Sequence, residues 1–254
     1  TQGVSSAASD VYKRQAYTAA LGMSLLQTSI NNAALPAFAN AHGAGAGENL
    51  TDRYERLSEL MGFVMAPVAC ALIFFGRDLF RAWVGAEVAD AACVPLALLA
   101  TGFLFNAMFS NCYVYGVAAG QPALFLRANL AGLLLYLPTL ISGILIGGIA
   151  GAGAAWLVLN LFYIVCVLPR AHASLHLAPA GSWLRRNVAV FLVSSLVAFG
   201  GGAIAAQLIG GHTGPVAGLA CACAAYLWMA SRFGSSTLAH GLRTAWRHLF
   251  GFST

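Results

Sequence analysis

The chain has 254 residues, of which 59% are hydrophobic and 8% are charged, and its mean hydropathy is +0.77. Soluble domains carry about 25% charged residues, so this composition excludes a water-soluble fold of this size. The net charge of +5 does not indicate a nucleic-acid partner, because the basic residues lie singly at the ends of apolar stretches, where they act as topology signals.

Long stretches without a charged side chain predict membrane spans. Three of them run from Ala91 to Leu126, between Arg127 and Arg170, and from Asn187 to Ser231. A spanning helix needs about 20 apolar residues, so we predict an all-α, polytopic bundle of about seven transmembrane helices. The predicted spans are residues 16–40, 57–76, 91–117, 122–147, 152–169, 187–209 and 214–233.

The two ends of the chain differ from the transmembrane domain, which we place at residues 16–233. Residues 1–15 resemble translated sequencing-adapter sequence, so we expect them not to be native and the natural protein to extend further in the N-terminal direction. In residues 234–254, five apolar side chains recur at helical spacing between basic residues, which predicts an amphipathic helix on the membrane surface. The five are Leu238, Leu242, Trp246, Leu249 and Phe250.

The basic residues predict the orientation of the bundle. If the C-terminus is cytoplasmic, all the arginines from Arg53 onwards fall on the cytoplasmic side except Arg77 and Arg81. Because basic loops stay in the cytoplasm, we expect this orientation, in which the first span enters from outside. Residues 52–59 are expected to form a charged turn before the second span.

Side chains for catalysis are scarce. No Asp or Glu follows Asp90, and all six histidines fall in predicted loops or in the tail, so we expect no buried histidine and no intramembrane acid–base pair. His172 and His176 are four residues apart but have no acid or cysteine beside them. We therefore predict no enzyme activity, no catalytic residue, no metal site and no cofactor. The six cysteines lie in apolar stretches, and we expect small buried side chains without disulfides.

Uncharged polar residues remain inside the predicted spans. Amides in hydrocarbon need partners or water, so they either line a hydrated cavity or bond the helices to one another. The candidate cavity residues are Gln27, Asn31, Asn32, Asn106, Asn111, Asn129 and Asn160. Arg127 is the most informative of the polar residues, because an intramembrane cation marks a functional site by default. It either binds an anionic headgroup or a pyrophosphate, or extends to the membrane surface.

Glycine and proline are spaced as in membrane helices. Glycines recur every fourth residue in two places, which allows helices to approach closely; they are Gly143, Gly147 and Gly151, and Gly210, Gly214 and Gly218. Pro67 and Pro138 interrupt two predicted spans, either as hinges or as static kinks that improve packing.

The order of these elements resembles a known family. The segments that carry the resemblance are Ala34–Phe38 (ALPAF), Phe75–Gly85 (FGRDLFRAWVG), Tyr113–Pro122 (YVYGVAAGQP), Arg127–Asn129 and Gly148–Ala155 (GIAGAGAA). Over about residues 16–170 the chain resembles the C-terminal half of bacterial polysaccharide and O-antigen flippases, in the multidrug/oligosaccharidyl-lipid/polysaccharide exporter superfamily.

The resemblance implies two helical lobes around a cavity that opens alternately to each side of the bacterial inner membrane. The implied substrate is a polyprenyl-pyrophosphate-linked oligosaccharide, with Arg127 as the candidate pyrophosphate ligand, and membrane lipids and the missing N-terminal lobe are the implied partners. Two alternatives stay open. One is a drug or lipid exporter of the same superfamily, and the other is a non-transporting scaffold in envelope assembly.

Overall fold

A computed structural model describes residue 18, residues 21–33 and residues 47–234, and every regular element within these ranges is helical. The predicted amphipathic tail, residues 1–15 and the end of the first predicted span, with Pro36, lie outside the described residues.

Eight α-helices follow one another in the described part of the chain. They are α1 (residues 21–33), α2 (Gly47–Val84), α3 (Ala86–Ala118), α4 (Pro122–Phe162), α5 (Leu168–Ser174), α6 (Ala180–Leu184), α7 (Val190–Ile209) and α8 (Thr213–Phe233). A π-helical turn at Tyr163–Val167 joins α4 to α5, and another at Arg185–Ala189 joins α6 to α7.

Five helical segments are long and apolar enough to cross a membrane. They are Leu50–Val84, Ala86–Ala118, Pro122–Ser174, Ala180–Ile209 and Thr213–Phe233. This confirms the predicted class, an all-helical protein of several membrane spans. The count of about seven stays a prediction, since the 13 described residues of α1 are fewer than the roughly 20 that a span needs.

The longest segment turns back on itself at Gly148, whose φ of 56° and ψ of −127° are not helical. Glycine is favoured there because a side chain disfavours positive φ. A Cβ on Gly143 would lie 2.5 Å from the carbonyl oxygen of Gly151, so the two arms meet backbone to backbone beside the turn. The predicted hairpin of residues 122–147 and 152–169 therefore forms. Its glycines allow close contact between the two arms on either side of the turn, and they do not form one stripe along a single helix face.

Helix α2 is central, since it packs against α3, α7 and α8. Lipid is as apolar as a leucine side chain, so close packing rather than water exclusion holds membrane helices together. Small residues serve this purpose: Ala66, Ala69 and Cys70 of α2 are at most 1% exposed. Helices α7 and α8 also approach closely, because a Cβ on Gly202 would lie 2.6 Å from the carbonyl oxygen of Gly218.

Successive long helices run in opposite directions, so the bundle has two ends, and these differ in the number of arginines that they carry. One end, which we call the arginine-rich end, carries the first turns of α2, the ends of the α4–α5 hairpin and the last turn of α8. Its arginines are Arg53, Arg56, Arg127, Arg170, Arg185, Arg186 and Arg232. The opposite end carries Arg77 and Arg81. The predicted orientation depends on this unequal distribution of arginines between the two ends. The assignment of the arginine-rich end to the cytoplasm stays a prediction.

The predicted charged turn at residues 52–59 is wrong, because these residues are helical within α2. Tyr54, Leu57 and Ser58 are buried, whereas Asp52 and Arg53 are exposed on the other side. The apolar face thus continues through a segment whose charges made it resemble a loop. Helix α3 also begins earlier than expected, at Ala86 rather than at residue 91.

The cysteines do not share one environment. All six are free thiols, and Cys70 and Cys112 are buried as predicted. Cys93 and Cys166 are only partly buried, and Cys221 and Cys223 are exposed on α8. The expectation that all six would be buried is therefore wrong. In a membrane helix the outer face is as apolar as the inner face, so hydropathy cannot separate them.

Candidate functional site

Arg127 lies in a groove between the two arms of the α4–α5 hairpin, at the arginine-rich end. The groove has a volume of about 770 Å³ and also contains Arg170, from α5. Both arginine side chains are exposed. Arg170 donates a hydrogen bond from Nη1 to the carbonyl oxygen of Cys166, one turn earlier. Arg127 forms no hydrogen bond or ion pair with another residue in the described ranges, so its guanidinium is available to a ligand.

Contacts between the arms fix the mouth of this groove. The hydroxyl of Ser174 donates to Oε1 of Gln121 at 2.9 Å, and Nε2 of Gln121 lies 3.4 Å from the Ser174 carbonyl oxygen. Deeper between the arms, the hydroxyl of Tyr163 donates to Oδ1 of Asn129 at 3.3 Å. These contacts join the arms at two levels and hold together the helical segments that carry Arg127 and Arg170.

The lining of the groove is cationic and otherwise apolar or small. Besides Arg127, Arg170, Gln121 and Ser174, it consists of Gly120, Ala123, Leu124, Ala128, Ala131, Phe162, Cys166 and Val167. None of these lining residues is a carboxylate. Guanidinium groups bind phosphate oxygens in a bidentate fork, and the apolar walls suit a hydrocarbon chain. The groove thus has the chemistry to hold an anionic amphiphile.

Arg170 was interpreted from the sequence only as an orientation signal. The position of the hairpin turn predicts that Arg170 lies level with Arg127, since Arg127 precedes Gly148 by 21 residues (148 − 127) and Arg170 follows it by 22 (170 − 148). Residues at nearly equal distances from a hairpin turn come to the same level. Arg170 therefore lines the same groove as Arg127, the candidate pyrophosphate ligand that the resemblance implies.

Three of the predicted cavity amides form one continuous chain of hydrogen bonds. Nε2 of Gln27 donates to Oδ1 of Asn106 at 3.0 Å, and Nδ2 of Asn106 donates to Oδ1 of Asn160 at 2.9 Å. Nδ2 of Asn160 then donates to the carbonyl oxygen of Trp156 at 2.8 Å. We call Gln27, Asn106 and Asn160 the amide seam. It joins α1, α3 and the second arm of α4.

The other predicted amides lie outside the amide seam. Asn31 donates to the hydroxyl of Ser110 at 3.0 Å, one turn further along α1. Asn111 is fully buried, and neither its side-chain oxygen nor its nitrogen has a hydrogen-bond partner among the described residues. Asn32 and Asn129 are exposed. The structure therefore does not bring the seven amides and Arg127 into one cavity.

His172 is buried, which overturns the expectation that every histidine lies in a loop or the tail. It belongs to α5 and is 1% exposed. Its Nδ1 lies 2.7 Å from the carbonyl oxygen of Ala178, and its Nε2 lies 2.9 Å from the hydroxyl of Tyr54. A carbonyl only accepts, so Nδ1 carries the proton and the Tyr54 hydroxyl donates to Nε2 of the neutral ring.

Aromatic rings surround this histidine. Trp183 stacks on Tyr54 with ring centres 5.7 Å apart and meets the edge of His172 at 5.3 Å. No local pattern in the sequence predicts this cluster, because its members come from α2, α5 and α6. Both ring nitrogens of His172 are already hydrogen-bonded. His172 therefore has no free nitrogen with which to bind a metal ion together with His176.

The two predicted hinge prolines both lie within continuous helix. Pro67 is inside α2 and Pro138 is inside the first arm of α4. The break in α4 falls instead at Gly148, ten residues after Pro138 (148 − 138). A hinge role for either proline stays a prediction.

Comparison of the chain with family models, with curated proteins and with solved structures found no match. The resemblance to polysaccharide flippases therefore stays a prediction, and the functional inference depends on the helices and the groove.

Proposed function

We propose that this chain is part of a secondary membrane transporter that translocates a lipid-linked oligosaccharide precursor of surface polysaccharide across the bacterial inner membrane. The observation that carries the proposal is the groove containing Arg127 and Arg170. One arginine from each arm of the hairpin lines this groove, with no carboxylate in the lining. A pyrophosphate attached to a polyprenyl chain matches this combination of paired cations and apolar walls.

The groove favours an anionic lipid over a cationic drug as the cargo. A cation entering it would meet two positive charges and no carboxylate, so the drug-exporter alternative has less support than a pyrophosphate lipid. Proteins of this class would move the cargo by opening alternately to the two sides, with the second lobe supplied by sequence outside this chain.

The scaffold alternative is favoured by one specific observation. The amide seam satisfies most of its hydrogen-bonding groups internally, as expected when polar residues bond helices together rather than line a water-filled path. In contrast, Asn129 is exposed beside the groove. The transport and scaffold hypotheses differ in the role of the arginines. Transport requires Arg127 and Arg170 to bind the cargo, whereas a scaffold needs neither of them for its packing.

Binding of a polyprenyl pyrophosphate to the purified chain in detergent tests the proposal. We expect Arg127→Gln and Arg170→Gln each to weaken binding by about fivefold, since each removes one partly solvated charge contact. The uncharged polyprenol should bind equally to all variants. Arg185→Gln is the matched control, because Arg185 is exposed at the same end but does not line the groove.

The same substitutions in the full-length protein connect binding to transport. Arg127→Gln and Arg170→Gln should lower surface polysaccharide at unchanged protein level, and Arg185→Gln should not. Normal surface polysaccharide in both groove variants, at normal protein level, would exclude the groove as the site that carries the cargo and would favour the scaffold.

A further inference from the structure

A second cleft opens at the opposite end of the bundle, between α2 and α8. Near the arginine-rich end the two helices are in contact, because the hydroxyl of Tyr226 donates to the carbonyl oxygen of Phe63 at 2.6 Å and the two rings stack with centres 5.8 Å apart. At the other end a space of about 580 Å³ lies between them. The helices thus diverge toward the end that carries Arg77 and Arg81.

Each helix presents one face to this cleft. Helix α2 contributes residues with i, i+3, i+4 and i+7 spacing, which are Phe75, Asp78, Leu79 and Ala82. The turn before α8 and its first two turns contribute residues with the same spacing, which are His212, Pro215, Val216 and Leu219. Such spacing marks a single stripe along a helix. Two facing stripes define a slot that runs along the helices and is about 10 Å long for seven residues of rise.

Phe75 and Leu219 lie furthest from the helix ends. The charged and titratable lining residues, which we call the rim, are Asp78, one turn before Arg81 in α2, Arg81 itself, and His212, just before α8. In the described part of the chain these three side chains form no hydrogen bond or ion pair with one another or with other residues. Their neighbour Arg77, by contrast, is engaged by Asp90 at 2.6 Å outside the slot.

We propose that this slot binds a membrane phospholipid whose zwitterionic headgroup carries a primary ammonium, that is, a phosphatidylethanolamine. One acyl chain would lie between the apolar stripes of α2 and α8. The carboxylate of Asp78 accepts hydrogen bonds from the ammonium, and Arg81 and His212 donate to the phosphate. The rim carries one carboxylate and one guanidinium, whose opposite charges match those of a headgroup with zero net charge.

An anionic phospholipid fits this rim less well. Its phosphate could meet Arg81, but Asp78 would face a headgroup without a cation and would be left unpaired beside it. A choline headgroup carries a positive charge but no N–H to donate to the carboxylate. The slot therefore selects for the ammonium group, and the selection depends on Asp78. The proposal does not depend on the transport function of the groove at the arginine-rich end.

Native mass spectrometry of the detergent-purified chain with added lipid tests this inference. We expect phosphatidylethanolamine to be retained about threefold to tenfold better than phosphatidylglycerol or phosphatidylcholine of the same acyl chains, as one charge-assisted hydrogen bond would give. Asp78→Asn should abolish this preference. Glu87→Gln is the matched control at the same end and should preserve it, because Glu87 is exposed and does not line the slot.

A second variant tests the slot without changing charge. Val216 is 71% exposed, so Val216→Trp should be compatible with folding, place a large ring in the slot and reduce retention of all three lipids. Equal retention of the three lipids by the unaltered chain would overturn the proposal. Equal effects of Asp78→Asn and Glu87→Gln would also overturn it, as would normal retention of phosphatidylethanolamine by Val216→Trp.

Discussion

The amide seam provides the sharpest test of how this bundle is held together. Asn160 is fully buried, accepts from Asn106 at 2.9 Å and donates to the carbonyl oxygen of Trp156 at 2.8 Å. Asn160→Ala removes both bonds and leaves Nδ2 of Asn106 without its acceptor. In soluble proteins a buried group left unpaired costs about 1–3 kcal/mol.

The expected magnitude is smaller in a membrane. Hydrogen bonds between membrane helices contribute about 0.6 kcal/mol on average and up to about 1.7 kcal/mol, because the unfolded chain also finds partners in the membrane. We therefore expect Asn160→Ala to lower the free energy of unfolding by about 1–2 kcal/mol. Asn106→Ala should cost a similar amount, since it also leaves Nε2 of Gln27 unpaired.

A double-mutant cycle separates the seam from simple loss of packing. Unfolding of both single variants and the double variant is followed in mixed detergent, and we expect a coupling energy of at least about 0.6 kcal/mol between Asn106 and Asn160. Ser142→Ala is the control, because its hydroxyl bonds only within its own helix, to the carbonyl oxygens of Pro138 and Thr139. Single-variant effects that add to within about 0.3 kcal/mol would refute the coupling of the seam.

Two further substitutions test other contacts by the same unfolding measurement. Tyr54→Phe removes the 2.9 Å hydrogen bond to His172 but keeps the ring, so we expect a loss of about 1 kcal/mol; an unchanged free energy of unfolding would contradict this bond. Gly202→Ala places a Cβ 2.6 Å from the carbonyl oxygen of Gly218, so α7 and α8 must separate at a cost of about 1–3 kcal/mol. Gly201→Ala is its control: a Cβ there meets nothing within 4 Å, and the change should be neutral or stabilising by up to about 1 kcal/mol. Equal effects of the two alanines would show that the α7–α8 contact is not close.

The charge-free stretches were sufficient to predict the class of protein and most helix positions. Helices α7 and α8 end within a residue of the predicted boundaries at 209 and 233, and the turn at Gly148 falls between the two spans predicted around it. Hydropathy and the placement of glycine are local features of the sequence. Helix positions could be predicted from them because every membrane span must be apolar and helical. The helical start of α2 was missed because its charges mask one buried face.

Only the tertiary structure decided which polar groups meet. Arg170 joins Arg127 because the hairpin brings residues on either side of Gly148 to one level, and His172 is buried because α2 and α6 cover it. The candidate amides, for which the sequence left a shared cavity and bonding between helices both open, are divided among the seam, a separate pair with Ser110, exposed positions and the buried Asn111. These outcomes depend on the rotation of each helix about its axis. Close contacts between helix faces set that rotation, and no single stretch of sequence contains it.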